Sequence, residues 1–495
     1  MELRRMEMST RKYTHFINGL YEGESASYVD RTSPASGELV AQFASGQVAD
    51  MDRAVAAARK AFDHGSWPQM SGMQRAEVLN KFANLVERNF DKLVRIEVEE
   101  VGKPIRFARG DIGGCVGLIR YAASLAMQMS GTTYTNLGAN KTALLMREPV
   151  GVVALITPWN FPALILMQKV PFALAAGCAV VVKPSEFTSG SAFELAALAT
   201  EAGVPDGVFN VVSGKGSVIG QALTEHSGVD LISFTGSTRI GQTVIEASAK
   251  NIVKTSLELG GKSANIVFAD ADLDAAVDGA LMGVFFNNGE CCVSGSRLFV
   301  QSSIGDDFVR RVSERAALLK VGNPFDDDTD IGAMIDSKHL SKVMSLVDSG
   351  RTEGAKLLTG GNVVENSAGN FVQPTIFDHV TPKMTIFQEE IFGPVLSVTR
   401  FDTLDEVIEL ANNSIYGLSN YVWSKSIDTV MTISRRLKSG WVQANTIIDG
   451  APQLPLTGVK GSGFGYEMGQ AGFEEFSQIK TLFLHTGPRE PVFVK

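Results

Sequence analysis

Residues 151–158 read GVVALITP, and residues 178–185 read CAVVVKPS. Two more runs follow, VFNVVSG at 208–214 and LISFTGS at 231–237. Each is a few Val, Ile, Leu or Phe residues closed by Gly, Pro, Ser or Thr. Amphipathic stretches lie between and after them, SGSAFELAALATEAG (189–203) and TRIGQTVIEASAK (238–250). Strands that are apolar without alternation are buried on both faces. Strands of that kind alternating with helices therefore predict an α/β unit around a parallel sheet. In such sheets ligands bind beyond the carboxyl ends of the strands, so those ends are where chemistry is expected.

Working outward, a second α/β series opens at ANIVFADADLDAAVDGAL (264–281) and continues through RLFVQ (297–301), IFGPVLSVTRF (391–401) and WVQANTI (441–447). It predicts a second domain. Upstream, the first 130 residues read as mostly helical after a short β-like start, FINGLYEG (16–23). VADMDRAVAAARKAF (48–62) and RAEVLNKFANLVERN (75–89) both place apolar residues at helical spacing. The polar, β-leaning segment 131–149 interrupts the first unit. With the last thirty-odd residues it reads either as an arm reaching to a neighbouring subunit or as a long surface loop.

At 495 residues the chain exceeds one ordinary core, so two or three domains are expected. A make-up of 44% hydrophobic and 20% charged residues is that of a globular protein. No apolar run reaches the roughly 20 residues of a membrane span. The start, MELRRMEMSTRKYTHFING, has no apolar segment behind its basic residues, so a cytoplasmic protein is expected. A net charge of −9 argues against nucleic acid or an anionic membrane as the main partner. The four cysteines and six scattered histidines show no C-x-x-C or H-x-x-x-H spacing, so neither a zinc site nor a disulfide scaffold is expected.

The strand ends carry candidates. Asn160, just after the first run, is either an oxyanion donor or a turn residue. Lys183 and Glu186 read either as a ribose-binding pair, whose carboxylate would repel a 2′-phosphate and favour NAD over NADP, or as a solvated loop pair. Gly214, Gly216 and Gly220, and then Gly236 and Gly241, sit between strand and helix where amides can approach a pyrophosphate. Neither set is the standard dinucleotide fingerprint. Glu258, followed by two glycines, is either a general base or a structural partner of Lys254 or Lys262. Last comes NNGECCVSGSR (287–297), where Cys291 and Cys292 stand together on a helix stop. They read as a nucleophile or as buried small hydrophobes, with no histidine nearby in sequence.

Seven stretches, TPWNFP (157–162), KPSE (183–186), FTGST (234–238), ELGGKS (258–263), FNNGECC (286–292), EEIFGPV (389–395) and GVKGSGFGYEMG (458–469), occur in the order and near the spacing of the aldehyde dehydrogenase superfamily, which the chain resembles over nearly its whole length. The resemblance implies a Rossmann-like parallel-sheet NAD-binding domain (14–130 and 150–259), a second α/β catalytic domain (260–461), and a small β oligomerisation arm (131–149 and 462–495). It implies Cys292 as nucleophile, Asn160 as oxyanion donor, Glu258 as general base and Glu467 as a second carboxylate relaying protons. The implied cofactor set is Trp159, Lys183, Ser185, Glu186, Gly216, Gly220, Phe234, Gly236, Ser237, Glu390 and Phe392, for NAD rather than NADP and with no metal. The implied reaction oxidises a small-molecule aldehyde to its acid through a thiohemiacetal and an acyl-thioester, in a cytoplasmic homodimer or homotetramer. An acylating, coenzyme A-dependent enzyme, a Cys292 thiolate hydrolase and a catalytically silent scaffold are the alternatives.

The sequence departs from the family pattern at several places. Glu290 stands where many members have Gln. Leu456 and Thr457 stand where an aromatic residue and a glycine are common, and Ile448, Gly450 and Gln168 stand where aromatic residues are frequent. The substrate mouth is therefore expected to be poor in aromatic rings, and betaine-type aldehydes to be disfavoured.

Overall fold

The computed structural model describes residues 10–365, 367–489 and 492–493. Residues 1–9 of the stretch read for a secretory signal, and residues 490, 491, 494 and 495 of the expected arm, lie outside them.

The apolar runs at 151–158, 178–185 and 231–237 form the middle of an eight-stranded sheet. Val152–Ile156 pairs in parallel with Ala179–Lys183 on one side and with Leu231–Thr235 on the other. Phe209–Val211 extends the first side and Lys254–Glu258 the second. The central three strands are buried along their whole length. Apolar cores cover both faces, as their unbroken hydrophobicity requires. The chain leaves Val152–Ile156 toward one edge and later returns on its other side. That reversal opens a crevice at the carboxyl ends, where Thr157, Lys183, Thr235 and Glu258 emerge.

A second, seven-stranded sheet runs in the order Lys356–Thr359, Thr375–Asp378, Val395–Phe401, Arg297–Gln301, Ala264–Val267, Ser419–Trp423, Trp441–Ala444. Only its first pair is antiparallel. It too has a core on each face. The α/β class with a Rossmann-like sheet and a separate second α/β sheet is thus the observed architecture.

The third sheet is antiparallel, with Lys141–Pro149 between Thr132–Tyr134 and Ser477–His485. Segment 131–149 is therefore a β-ribbon and not a loop. The stretch expected to complete the arm is narrower than 462–495. Gly463–Phe464 joins the first sheet beside Lys254–Glu258, and Gly469–Glu475 packs on Pro162–Ala176.

Two further features of the first unit matter. The first 130 residues, read as mostly helical after a short β-like start, also hold strands. Tyr28–Thr32, Leu39–Ala44 and Arg11–Tyr13 form a small sheet. LVAQFA has few β-branched residues to announce a strand. Distant contacts fix this sheet instead: buried Arg31 donates to the carbonyls of Glu100 (2.9 Å) and Ile335 (3.1 Å). The second feature is the helix Ile105–Ala126, which carries Gly110, Gly113, Gly114 and Gly117 in its interior. Each costs a helix roughly 0.5–1 kcal/mol relative to Ala.

Candidate active site

The strand ends converge on Cys292. Helix Leu273–Phe285 stops at a short turn in which Asn287 (φ 50°), Asn288 (φ 62°) and Gly289 (φ 75°) are all left-handed. Left-handed backbone is unfavourable for residues with a Cβ, so side-chain hydrogen bonds must hold the turn. They do. Asn287 Nδ2 donates to the carbonyls of Asn160 (3.1 Å) and Glu290 (3.0 Å), and Asn288 Oδ1 accepts from the Gly332 N–H (2.7 Å). Gly289 has no alternative, since a Cβ there would lie 2.2 Å from the carbonyl carbon of Gly393.

The two cysteines part company on this turn. Cys291 is 4% exposed in a small apolar cluster with Phe161 and Ile165, and burial pushes its thiol up to about 12. The buried-hydrophobe reading fits it. Cys292 is half-buried and lines two chambers at once.

The first chamber, about 440 Å³, has Glu258, Glu467 and Thr235 near Cys292. Glu258 is buried, and neither carboxylate oxygen has a hydrogen-bond partner among the described residues. Burial and the neighbouring Glu467 raise its affinity for a proton well above that of an ordinary carboxylate, with buried Lys169 opposing. The ion pairs considered for it do not form. Lys254 pairs with Glu475 (2.6 Å), while Lys262 is buried, has no hydrogen-bond partner among the described residues, and is pulled by burial down to about 7. Glu467, itself buried, accepts from Lys169 and from Thr235 Oγ1 (3.1 Å), and Lys169 also donates to Ser233 Oγ (2.8 Å). Cys292 remains a thiol in these surroundings. Burial, then Cys291, Glu390, Glu258 and Glu467, all hold its proton on.

The second chamber, about 220 Å³, is bounded by Trp159, Asn160, Gly236, Ser237, Glu390 and Phe392. The Asn160 amide donates to the Glu290 carbonyl at 3.0 Å, tying it to the cysteine turn and not to a local loop. Trp159 meets Phe392 edge-on (5.3 Å, 89°), and Phe392 is itself left-handed at φ 58°. Glu390 accepts from the Gly261 N–H (2.9 Å), and burial raises its carboxyl to about 7. Gly260 permits that approach, since a Cβ there would sit 2.5 Å from Glu390 Oε2. Ser237 caps helix Thr238–Ala249, and its Oγ accepts from the Ile240 N–H (3.4 Å). Gly236 lies over the ring of Phe234, 2.5 Å from where a Cβ would be.

The remaining predicted residues line neither chamber. Lys183 is buried, not solvated, and lies 3.7 Å from Glu186, whose Oε2 accepts from the Gly216 N–H (3.1 Å). Gly216–Gly220 is a π-turn, with open space at Gly220 and only Lys183 Nζ near Gly216. Ser185 Oγ accepts from the Phe187 N–H (3.3 Å), shaping the turn after the strand. These groups fit a dinucleotide: hydroxyl partners at Lys183 and Glu186, and amides at Gly216 and at a twelve-residue helix for a pyrophosphate. Among the described residues no group of three or more His, Cys, Asp or Glu gathers as a metal site.

One expectation is overturned. Gln168, Ile448, Gly450 and Leu456 do line the larger chamber, and Thr457 does not, but the mouth is not poor in aromatic rings. Phe107, Phe161, Phe286 and Trp441 form its walls, with Phe286 packed on Phe107 (4.8 Å) and Phe161 (5.7 Å). They come from other segments than the positions compared, which is why their absence there misled. Lys169 was also missed, although a lone Lys inside the apolar helix PALILMQKVPFALAA is a legible signal. His339 had none: it lies in the polar run SKHLSK, yet the fold sets it in the smaller chamber with Nε2 2.7 Å from the Phe392 carbonyl.

Comparison with known proteins adds to this geometry. A family model described as "Aldehyde dehydrogenase family" matches residues 21–482. Human retinal dehydrogenase 2 is 45% identical over 476 residues, covering 95% of this chain and 92% of that protein. The crystal structure of an NAD-dependent aldehyde dehydrogenase from Sinorhizobium meliloti superimposes with a TM-score of 0.97 at 48% identity, over 99% of this chain and 97% of that one. Betaine aldehyde dehydrogenase from Staphylococcus aureus, solved with NAD+, gives 0.96 at 37% identity, over 100% and 98%.

Proposed function

This chain belongs to the aldehyde dehydrogenase family, and on that premise we propose that it is an NAD-dependent enzyme oxidising an aldehyde to its carboxylic acid through covalent catalysis at Cys292. The observation that carries the reading is the position of Cys292 on the wall between the two chambers, with carboxylates on both sides. Aldehyde enters the larger chamber, and the nicotinamide end of NAD would fit the smaller one, where it would supply the oxidised ring that accepts hydride. Lys183, Glu186 and Glu390 would hold ribose hydroxyls, Gly216, Gly220, Gly236 and Ser237 would receive the pyrophosphate, and Phe392 with Trp159 would bound the nicotinamide end, while Phe234 and Ser185 shape the floor.

The chain's own groups then divide the work. The Cys292 thiol, part-exposed to solvent, gives its proton to water and its sulfur attacks the carbonyl carbon, forming a C–S bond and an oxyanion. Asn160 has a second amide N–H beyond the one held by Glu290, and it stabilises that oxyanion. After the oxidation Cys292 carries the acyl group as a thioester. Glu258 takes a proton from water, the hydroxide adds to the acyl carbon, and the C–S bond breaks to release the acid and the thiolate. Glu467, held by Lys169 and Thr235, receives the proton from Glu258 and passes it outward.

A pH profile of NADH formation from an aldehyde, with and without coenzyme A, tests this reading. The expected result is free acid without coenzyme A and a rate that climbs with pH. The sign follows from Glu258, which is protonated and idle below its raised pKa and acts as a base only above it. Dependence on coenzyme A would replace the hydrolytic step.

The arm supports a homo-oligomer. Strand Ser477–His485 is an edge strand exposed beyond its first residue, with Ile479 59% and Phe483 56% accessible. An apolar edge of that length is normally covered. No helix of the described residues is long and apolar enough to cross a membrane.

A further inference from the structure

His339 bounds the smaller chamber, and the reaction at Cys292 gives it no task. It is the third residue of helix Ser337–Thr352, and its backbone N–H donates to Oδ1 of the capping Asp336 at 2.7 Å. The ring is thereby aimed at the Phe392 carbonyl, 2.7 Å from Nε2. A carbonyl can only accept, so Nε2 carries the proton. Phe392 needs such a hold. Its backbone is left-handed at φ 58°, which is unfavourable for a bulky residue unless its surroundings impose it. Trp159 completes the group, edge-on to both rings, with centroids 5.4 Å from His339 and 5.3 Å from Phe392.

Little charge faces this ring. Its own helix contributes Asp336 and, one turn on, Lys342. The cysteine turn contributes Glu290, whose Oε1 lies 3.8 Å from Nε2 and accepts from the Ile335 N–H (3.0 Å), together with the Cys292 thiol. The segment of Phe392 contributes Glu390, and the stretch 158–160 brings no titratable group. Burial holds the Glu290 carboxyl protonated and raises that of Glu390 to about 7. Burial also makes the imidazole take a proton less readily than an ordinary histidine. Lys342 adds to this effect, while the Phe392 carbonyl and Asp336 oppose it. A neutral imidazole matters here because the oxidised nicotinamide ring is a cation and the reduced ring is not. A charge placed on His339 would act on the first and not on the second.

We propose that His339 is a positioning residue through which the smaller chamber distinguishes oxidised from reduced cofactor. As a neutral ring it clamps Phe392 and admits the cationic nicotinamide. As a cation it repels that ring and spares the reduced one. The inference rests on the reading of NAD in the smaller chamber and deepens it. It is tested by isothermal titration calorimetry of NAD+ and NADH against the purified full-length protein, without aldehyde, at about pH 8 and about pH 5. In the parent, acid should weaken NAD+ relative to NADH, both through His339 and through loss of the Glu390 charge. His339→Gln keeps an N–H donor for the Phe392 carbonyl but cannot become a cation. Its acid-induced fall in the affinity ratio should be about ten-fold smaller, the scale of one partly shielded charge at close range. At the higher pH, His339→Gln should bind NAD+ within about two-fold of the parent, and His339→Ala, which lacks the donor, about five-fold more weakly.

An affinity ratio in the parent that does not fall with acid would overturn the proposal whether or not any variant folds. So would equal pH dependence of the ratio in the parent and in His339→Gln, or a His339→Ala protein that melts at the parent temperature and binds NAD+ as the parent does. If the parent binds neither NAD+ nor NADH, the assignment of the cofactor itself fails, and this proposal with it. Binding of both forms with a ratio that His339 does not move overturns the role of His339 alone.

Discussion

The two chambers that meet at Cys292 are built on opposite principles. The smaller is the more polar of the two, shaped by glycines that let backbone and carboxylates come close, and drawn mainly from strand ends of the first sheet together with the segment around Glu390. The larger is apolar, walled by rings and open glycine positions, and assembled from seven separated stretches between Arg106 and Met468. A cofactor that is the same for every turnover rewards groups at fixed strand ends. A substrate wall has no fixed pattern to satisfy and can come from anywhere the fold brings near.

Breaking the shared element should have the largest effect. Cys292→Ala is expected to lower kcat/KM with any aldehyde by at least about 10⁴-fold, the scale on which loss of a nucleophile is felt. Cys291→Ala, one residue away in its apolar cluster, should cost less than about ten-fold. Steady-state NADH formation by the two variants separates a wall residue from the proposed nucleophile.

Next comes the larger chamber's polar end. Glu258→Gln should slow turnover by about 10²–10⁴-fold. One equivalent of NADH should still form in a burst, because hydride loss precedes the hydrolysis that Glu258 serves. The rise of rate with pH assigned to Glu258 should vanish with it. A variant without a burst, or with the parent's pH limb intact, would move the base elsewhere.

On the smaller side, Asn160→Ala should reduce kcat by about 10²–10³-fold, the range for one oxyanion donor, with little change in the affinity for NAD. Glu186→Gln is smaller again. Removing the carboxylate near Lys183 and Gly216 should lower the NAD-to-NADP ratio of kcat/KM by about ten-fold, about 1.4 kcal/mol. A ratio unmoved by this change would take cofactor choice away from Glu186. Least for catalysis is the arm. Phe483→Asp should shift the protein toward smaller species in light scattering while kcat per subunit stays within a few-fold.

Legibility followed the same division. Asn160, Lys183, Gly236 and Glu258 could be read from residues alone because each directly follows or ends an unbroken apolar strand, and strand ends are where a parallel sheet binds ligands. The choice of Cys292 over Cys291, and Glu390, Phe392 and Glu467, were reached only through the resemblance. The aromatic wall was not legible by either route. Phe107 sits on a helix whose other face packs in the core, Phe286 lies on the cysteine turn, and Trp441 begins an edge strand of the second sheet. Each looks like ordinary core packing until the fold points it inward. The small N-terminal sheet was missed for a related reason, since its strands are held by Arg31 reaching residues far along the chain.

By itself, then, the sequence determined the sheet class, the crevice and the residue types lying at it. Unbroken apolar strands can be buried in only one way, and that arrangement fixes where their ends must lie. Tertiary structure alone decided the rest. It left Glu258 without a partner, set Lys169 against Glu467, placed His339 beside Phe392, and left room at Gly110 and Gly114. Those outcomes depend on distances between segments far apart in the chain, which composition and spacing do not encode and which packing sets only once all the elements have met.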